Sequence, residues 1–302
     1  MRRLLALAAA LALLLAGCGG AGGRNAPKVA VGSLGAPLGL APLGMASGPP
    51  GLSLVPAARS LTATFVVAPS DRLPQLAAEG FTAIGALCAS APDVLLWHAR
   101  AVFAWPDLDK APLYVAPGAD PGALGIALAR YRGVLDHVPA PAALPGGVAA
   151  FRRNMAAFLL APEPLASRLL SQGLAELAQP LAVELGPYPT CLLYVRRSVA
   201  RQDPLLVEAV LRRADLGLLA LGAGMPRREL AQVRALAPHC GPAAWLTALE
   251  AARAEGVFAS TALIGPQALA LLHREIAPGD WPAGALDLSF ARAALRRLFV
   301  EQ

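Results

Sequence analysis

The chain has 302 residues, 56% of them hydrophobic and only 15% charged, with a formal net charge of +6. So apolar a composition excludes a disordered chain. Removing Arg2 and Arg3 lowers the charge to +4, and the remaining arginines are scattered (Arg59, Arg72, Arg100, Arg130, Arg132) or paired (Arg212-Arg213, Arg227-Arg228, Arg296-Arg297). Without a basic block, nucleic acid is excluded as a partner, and the surface is at most mildly attractive to small anions.

The first element is Met1-Arg2-Arg3 followed by an unbroken Leu/Ala run from Leu4 to Ala16 and then Gly17-Cys18. Two arginines and a short apolar run form a signal peptide over residues 1–17, because a membrane span needs ~20 apolar residues. Leu15-Ala16-Gly17-Cys18 resembles a bacterial lipobox, which implies cleavage before Cys18 and acylation of that cysteine. Two or three acyl chains suffice for stable anchoring, since each buried methylene contributes about 0.8 kcal/mol. The expected location is the cell envelope, lipid-anchored and facing the periplasm or the extracellular side. An ordinary secretory signal with a coincidental cysteine is the alternative. Residues 18–27 are small and glycine-rich, a flexible linker with nothing to build a core.

From Lys28 onward, strands alternate with helices. Lys28–Gly32, Thr62–Ala68 and Phe81–Leu87 read as strands, and the segment between the last two reads as a helix with Ser70 or Asp71 as N-cap, Pro74 in its first turn and Gly80 as its stop. Val94–Trp97 continues the series. Pro112–Ala116 opens a second one, followed by a helix from Pro121 to Tyr131 with Asp120 at its N-cap and Gly133 beyond. Alternation of this kind predicts an α/β fold with parallel sheets. After a strand at Cys191–Val195 the pattern turns helical: Leu205–Leu211, Pro226–Leu236, Pro242–Ala254, Gly265–Arg274 and Phe290–Phe299.

Beyond Cys18, the cysteines are Cys88, Cys191 and Cys240, with no CxxC spacing and no metal-ligand pattern, so no metal and no cofactor is expected. Three buried free thiols are the expectation, and a Cys88–Cys191 disulfide is the alternative an oxidising compartment allows. No G-x-S-x-G elbow, P-loop or G-x-G-x-x-G follows a strand, so no catalytic residue is assigned and the chain is not expected to be an enzyme.

Several segments, in order, resemble the substrate-binding proteins of ABC importers in the nitrate/sulfonate/taurine and thiamine-precursor (NMT1/THI5-like) group. They are Gly35-Ala36-Pro37-Leu38-Gly39-Leu40, Leu76–Ile84, Trp105–Pro121, Ala161-Pro162-Glu163-Pro164, Gly186-Pro187-Tyr188-Pro189-Thr190 and Asp287-Leu288-Ser289-Phe290. The resemblance spans Lys28 to Phe290. The chain departs from the group at Asp109-Lys110-Ala111, where a glycine is usual, and lacks the aspartates usual near Thr82 and Ala157. It implies a two-lobed periplasmic binding protein type II fold, each lobe a mainly parallel sheet flanked by helices, with two crossover strands. Lobe one is expected over 28–104 and 195–302, lobe two over 105–194. The resemblance also implies a monomer that captures a small anionic or zwitterionic solute and delivers it to an ABC permease in the inner membrane.

In open α/β sheets, ligands sit beyond the carboxyl ends of strands. For two facing lobes this selects Ser33, Gly35, Ala36 and Pro37 on one side and Gly118, Ala119 and Asp120 on the other, both ahead of helices whose free N–H groups hold anions. Ser70, Glu163, Tyr188 and Thr190 complete the candidate ligand-binding set, with a structural role as the alternative: Glu163 as a helix cap and Tyr188 packed at the hinge. Trp97, Trp105 and His98 flank the first crossover, in reach of a planar ligand or as core. Two other readings stand beside the receptor: a lipoprotein of degenerate cleft with a structural or interaction role, and an enzyme of the same fold, of the menaquinone or thiamine pyrimidine biosynthesis type.

Overall fold

The computed structural model describes residues 28–34, 37–45, 52–56, 62–131, 147–224, 231, 233, 241–275 and 281–300. Cys18, Gly35, Ala36, Gly133, Cys240 and nearly all of the helix expected over Pro226–Leu236 lie outside them.

Nine strands form two sheets among the described residues. The first contains β1 (Lys28–Ser33), β2 (Ser53–Pro56), β3 (Phe65–Pro69), β4 (Phe81–Cys88) and β9 (Cys191–Arg196), in the order β2-β1-β3-β9-β4. The second contains β5 (Asp93–Trp97), β6 (Leu113–Val115), β7 (Phe158–Pro162) and β8 (Glu176–Pro180), in the order β6-β7-β5-β8. β1 pairs in parallel with β2 and β3, whereas β9 runs antiparallel to both β3 and β4. β6 and β7 are parallel, and β5 runs antiparallel to β7 and β8. Each sheet is thus a set of co-directional strands with one reversed strand inserted. The reversed strands, β5 and β9, immediately follow the two passages of the chain between sheets. Sheet membership changes between Cys88 and Asp93 and again between Pro180 and Cys191, upstream of the positions 104/105 and 194/195 expected from the sequence.

The sequence builds these strands because both faces of each sheet are covered, which favours near-continuous apolar runs. Every residue of β4, β5 and β7 is buried. Successive side chains point to opposite faces: Phe65 and Val67 enter one core of lobe one, Val66 and Ala68 the other. In lobe two, Leu95 and Trp97 face one core, Val94 and Leu96 the other.

The helices are α1 (Ala41–Met45), α2 (Leu73–Ala78), α3 (Pro121–Arg130), α4 (Gly147–Arg153), α5 (Leu165–Ser171), α6 (Leu181–Leu185), α7 (Arg197–Gln202), α8 (Pro204–Ala223), α9 (Pro242–Ala254), α10 (Pro266–Glu275) and α11 (Ser289–Val300). Asp120 caps α3 as expected, its Oδ1 accepting from the N–H groups of Gly122 at 2.8 Å and Ala123 at 3.2 Å. Gly80 ends α2 with φ +87°, the left-handed region that favours glycine. The expected cap at Ser70 or Asp71 does not form: residues Ser70–Arg72 make a 3-10 turn with no side-chain cap before α2. Leu205–Leu211 is part of a much longer helix, α8. Arg213 and Gly217 on α8 fit α1 closely: the Arg213 Nε–H donates to the Leu43 carbonyl at 2.6 Å, and a Cβ on Gly217 would lie 1.7 Å from the Pro42 oxygen.

Candidate ligand cleft

The two sheets share one construction at their facing ends. β3 finishes in Ala68-Pro69 and turns at Ser70; β7 finishes in Ala161-Pro162 and turns at Glu163. The Ser70 N–H donates to the Thr190 carbonyl at 2.8 Å, and the Glu163 N–H donates to the Pro92 carbonyl at 3.1 Å. Each acceptor immediately precedes the reversed strand of its own sheet. The two passages are also tied together: the Thr190 hydroxyl donates to the Ser90 carbonyl at 2.7 Å, the Ser90 hydroxyl to the Gly186 carbonyl at 2.9 Å, and the Tyr188 N–H to the Ala89 carbonyl. This cross-wired pair of segments is a hinge floor.

Above the floor lies the cleft. A cavity of about 420 Å³ is lined from lobe one by Leu34, Pro69, Asp71, Arg72 and Gln75, and from lobe two by Gly118, Ala119, Asp120 and Pro121. A second, of about 220 Å³, is lined by Pro37, Gly241 and Ala244 of lobe one and by Pro117, Gly118, Pro162, Glu163, Pro164, Leu165 and Arg168 of lobe two. Gly118 belongs to both. It is exposed and has φ +88°, so its turn brings bare backbone to the centre of the cleft.

Of the expected ligand residues, Pro37, Gly118, Ala119, Asp120 and Glu163 line these cavities, and Ser33 sits beside Leu34 at the end of β1. Ser70, Tyr188 and Thr190 are buried in or under the hinge floor and do not line either cavity. Trp97 and Trp105 belong to the lobe-two core, stacked on Phe158 and Tyr131, with ring centroids 5.7 Å and 4.6 Å apart. The His98 ring bonds the Phe151 carbonyl at 3.0 Å. Asp71, Arg72 and Gln75 escaped the sequence reading, although Asp71 follows the end of β3 much as Glu163 follows the end of β7.

Electrostatically the cleft is mixed: Asp71, Asp120 and Glu163 line it together with Arg72 and Arg168, and further carboxyls lie behind the walls. Asp93 lies in the floor, its Oδ1 accepting from the Asp120 N–H at 3.4 Å, and burial first, then the charge of Asp120, push its carboxyl well up. Burial, followed by the charge of Asp71, raises Asp120 to about 6. Glu163 is raised by burial against bonds from Ser167, whose N–H and hydroxyl donate to its two oxygens at 3.1 and 2.9 Å. Glu255, at the end of α9, is raised to about 7 by burial and then by Glu163. The cations among the lining residues are Arg72 and Arg168. Among the described residues no group of three or more His, Cys, Asp or Glu is placed to hold a metal.

Two α/β lobes joined by a double hinge, with a cavity lined from both, define the fold of the periplasmic binding proteins. No protein-family model and no curated protein matches the chain. Solved structures do. The alkanesulfonate-binding protein SsuA from Xanthomonas axonopodis pv. citri, bound to MOPS, is 16% identical with a TM-score of 0.61, over 86% of this chain and 98% of that one. The ligand-binding component of an ABC-type import system from Staphylococcus aureus, with zinc bound, is 13% identical with a TM-score of 0.64, over 88% and 98%. The desulfurization enzyme DSZB, as a point mutant in complex with biphenyl-2-sulfinic acid, is 16% identical with a TM-score of 0.62, over 89% and 99%. At these identities the likeness establishes the fold, the one the sequence resemblance implied.

Proposed function

We propose that the chain is the extracytoplasmic solute receptor of an ABC importer, anchored through acylated Cys18, which closes its two lobes on a small organic zwitterion and hands it to a permease. The observation that carries this reading is the cavity pair lined from both lobes around the Gly118 backbone, above a hinge floor. A ligand touching both lobes favours the closed state by its differential affinity for it. The charge of the walls narrows the anionic or zwitterionic class expected from the sequence. Asp71 and Asp120 line the larger cavity with carboxyls, which attract an ammonium group, while the Arg72 guanidinium donates to a carboxylate or sulfonate; the N–H groups of Gly122 and Ala123, expected to hold the anion, are taken by Asp120 itself.

The experiment is a thermal-shift screen of the mature protein against nitrate, alkanesulfonates, aminosulfonates, amino acids and pyrimidines. A ligand at 100 times its dissociation constant adds about 2.7 kcal/mol to folding stability. Aminosulfonates or amino acids are expected to raise the Tm, and nitrate to leave it unchanged. Stabilisation by simple alkanesulfonates alone would reverse the charge argument, and no stabilisation by any class would favour the degenerate-cleft reading. The fold shared with DSZB supports one further arm: incubation with an aryl sulfinate, followed for release of sulfite.

A further inference from the structure

Cys88 is the last residue of β4 and Cys191 the first of β9. They are opposite one another in the antiparallel ladder and are buried, at 0% and 2% exposure. The register shifts between Ala86 and Cys88, yet both side chains, free thiols here, enter the same lobe-one core; opposed residues of a regular ladder have Cβ atoms about 4.5–5.5 Å apart, close to the spacing of about 3.5–4.5 Å that a disulfide uses. Strand register therefore brings the two sulfurs to within a small adjustment of bonding. The thiols already sense each other: a hydrogen bond with the Cys191 thiol is the foremost of the influences that push the Cys88 thiol well up, ahead of burial. The turn Pro37–Leu40 covers them, since a Cβ on Gly39 would stand 3.1 Å from that of Cys191.

Topology gives the pair its meaning. The described residues between Cys88 and Cys191 form the second sheet, its helices and the two hinge passages, so these cysteines stand where lobe two is rooted in lobe one. We propose that in the exported protein Cys88 and Cys191 are joined by a disulfide that closes lobe two into a covalent loop at its root. This rests on the extracytoplasmic location proposed above, since such bonds persist in oxidising compartments. Each cysteine gives up a proton, and the two together give up two electrons to a protein disulfide of the thiol-oxidase class. One thiolate attacks that disulfide to form a mixed disulfide; the second thiolate displaces the donor's sulfur, which leaves as a reduced dithiol. A thiol raised by burial is a poor nucleophile, so the exchange occurs before the core closes.

The test uses the full chain exported to a bacterial periplasm, quenched with N-ethylmaleimide under denaturing conditions and mapped as unreduced peptides by mass spectrometry. The Cys88 and Cys191 peptides are expected to be linked, lighter by two hydrogens than their reduced sum. Alkylation of both thiols, or a bond from either to Cys240, would overturn the proposal. A protease nick within lobe two gives a second readout on denaturing electrophoresis: the fragments should run together until reductant is added, and apart without it in the Cys88→Ser/Cys191→Ser double variant. Neither measurement involves a solute, so this inference and the receptor reading fail separately.

Discussion

Buried carboxyls set the pH response of this protein. Asp215, 1% exposed on α8, accepts from the Ala262 N–H at 2.7 Å and is raised by burial to about 6; Asp120 is raised to the same value, and Glu255 to about 7. A carboxyl whose folded pKa exceeds its unfolded value, about 3.9 for Asp, holds its proton longer in the native state. Unfolding free energy then falls as pH rises from near 4 through the folded value. The protein is therefore expected to be more stable at pH 5 than at pH 7.5 in chemical denaturation. Asp215→Asn keeps an acceptor for Ala262 and should remove part of the slope, on the order of 2 kcal/mol. A flat profile, or one rising with pH, would contradict this. At this scale the sequence was partly legible. Asp120 could be read because a polar residue before proline starts a helix. Asp71 and Arg72 could not, because they became cleft residues only when the expected cap gave way to a 3-10 turn. Tyr188 and Thr190 belong to the hinge, which no local pattern distinguishes from a cleft wall.

Elements were more legible than residues. β1, β3, β4, β5 and β9 fall where apolar runs predict them, since strands buried on both faces need no polar alternation to be found. α9 occupies Pro242–Ala254 as expected, with proline in its first turn. The expected helix Leu205–Leu211 falls well short of α8, which runs on through Gly217 and Gly222. Gly217 is there for packing: it lets α8 approach the Pro42 backbone. Gly217→Ala inserts a methyl where no rotamer change can make room, so the helices must part. Overpacking costs typically 1–3 kcal/mol and occasionally more; a loss of roughly 3 kcal/mol is expected in urea unfolding. Gly222→Ala, whose Cβ meets nothing within 4 Å, should be neutral or slightly stabilising. Equal effects of the two substitutions would refute the packing argument.

For the molecule as a whole, the proposed anchor at Cys18 would decide where the cleft works. Cys18→Ser is expected to move the protein from the detergent phase to the aqueous phase without changing its Tm, because the linker contributes no core; unchanged partitioning would remove the anchor from the functional reading. The double-hinged fold was legible through the order of its segments. The points where the chain changes sheet were not, since Asp93–Trp97 and Cys191–Arg196 look like strands of the lobe that precedes them.

The place of β9 also fixes the order in which the lobes are finished. It lies between β3 and β4 in the first sheet, yet comes last in the chain of all the strands described. A chain made from its N-terminus delivers β1 to β4 without the strand that joins them. The second sheet is contiguous from Asp93 to Pro180 and can complete its pairing before Cys191 emerges. Lobe one is committed last, and for about a hundred residues of synthesis the facing edges of β3 and β4 stand open to wrong partners. In the cell the vulnerable part of this protein is therefore its first-made lobe, and a chaperone that recognises extended apolar strands would find its target there.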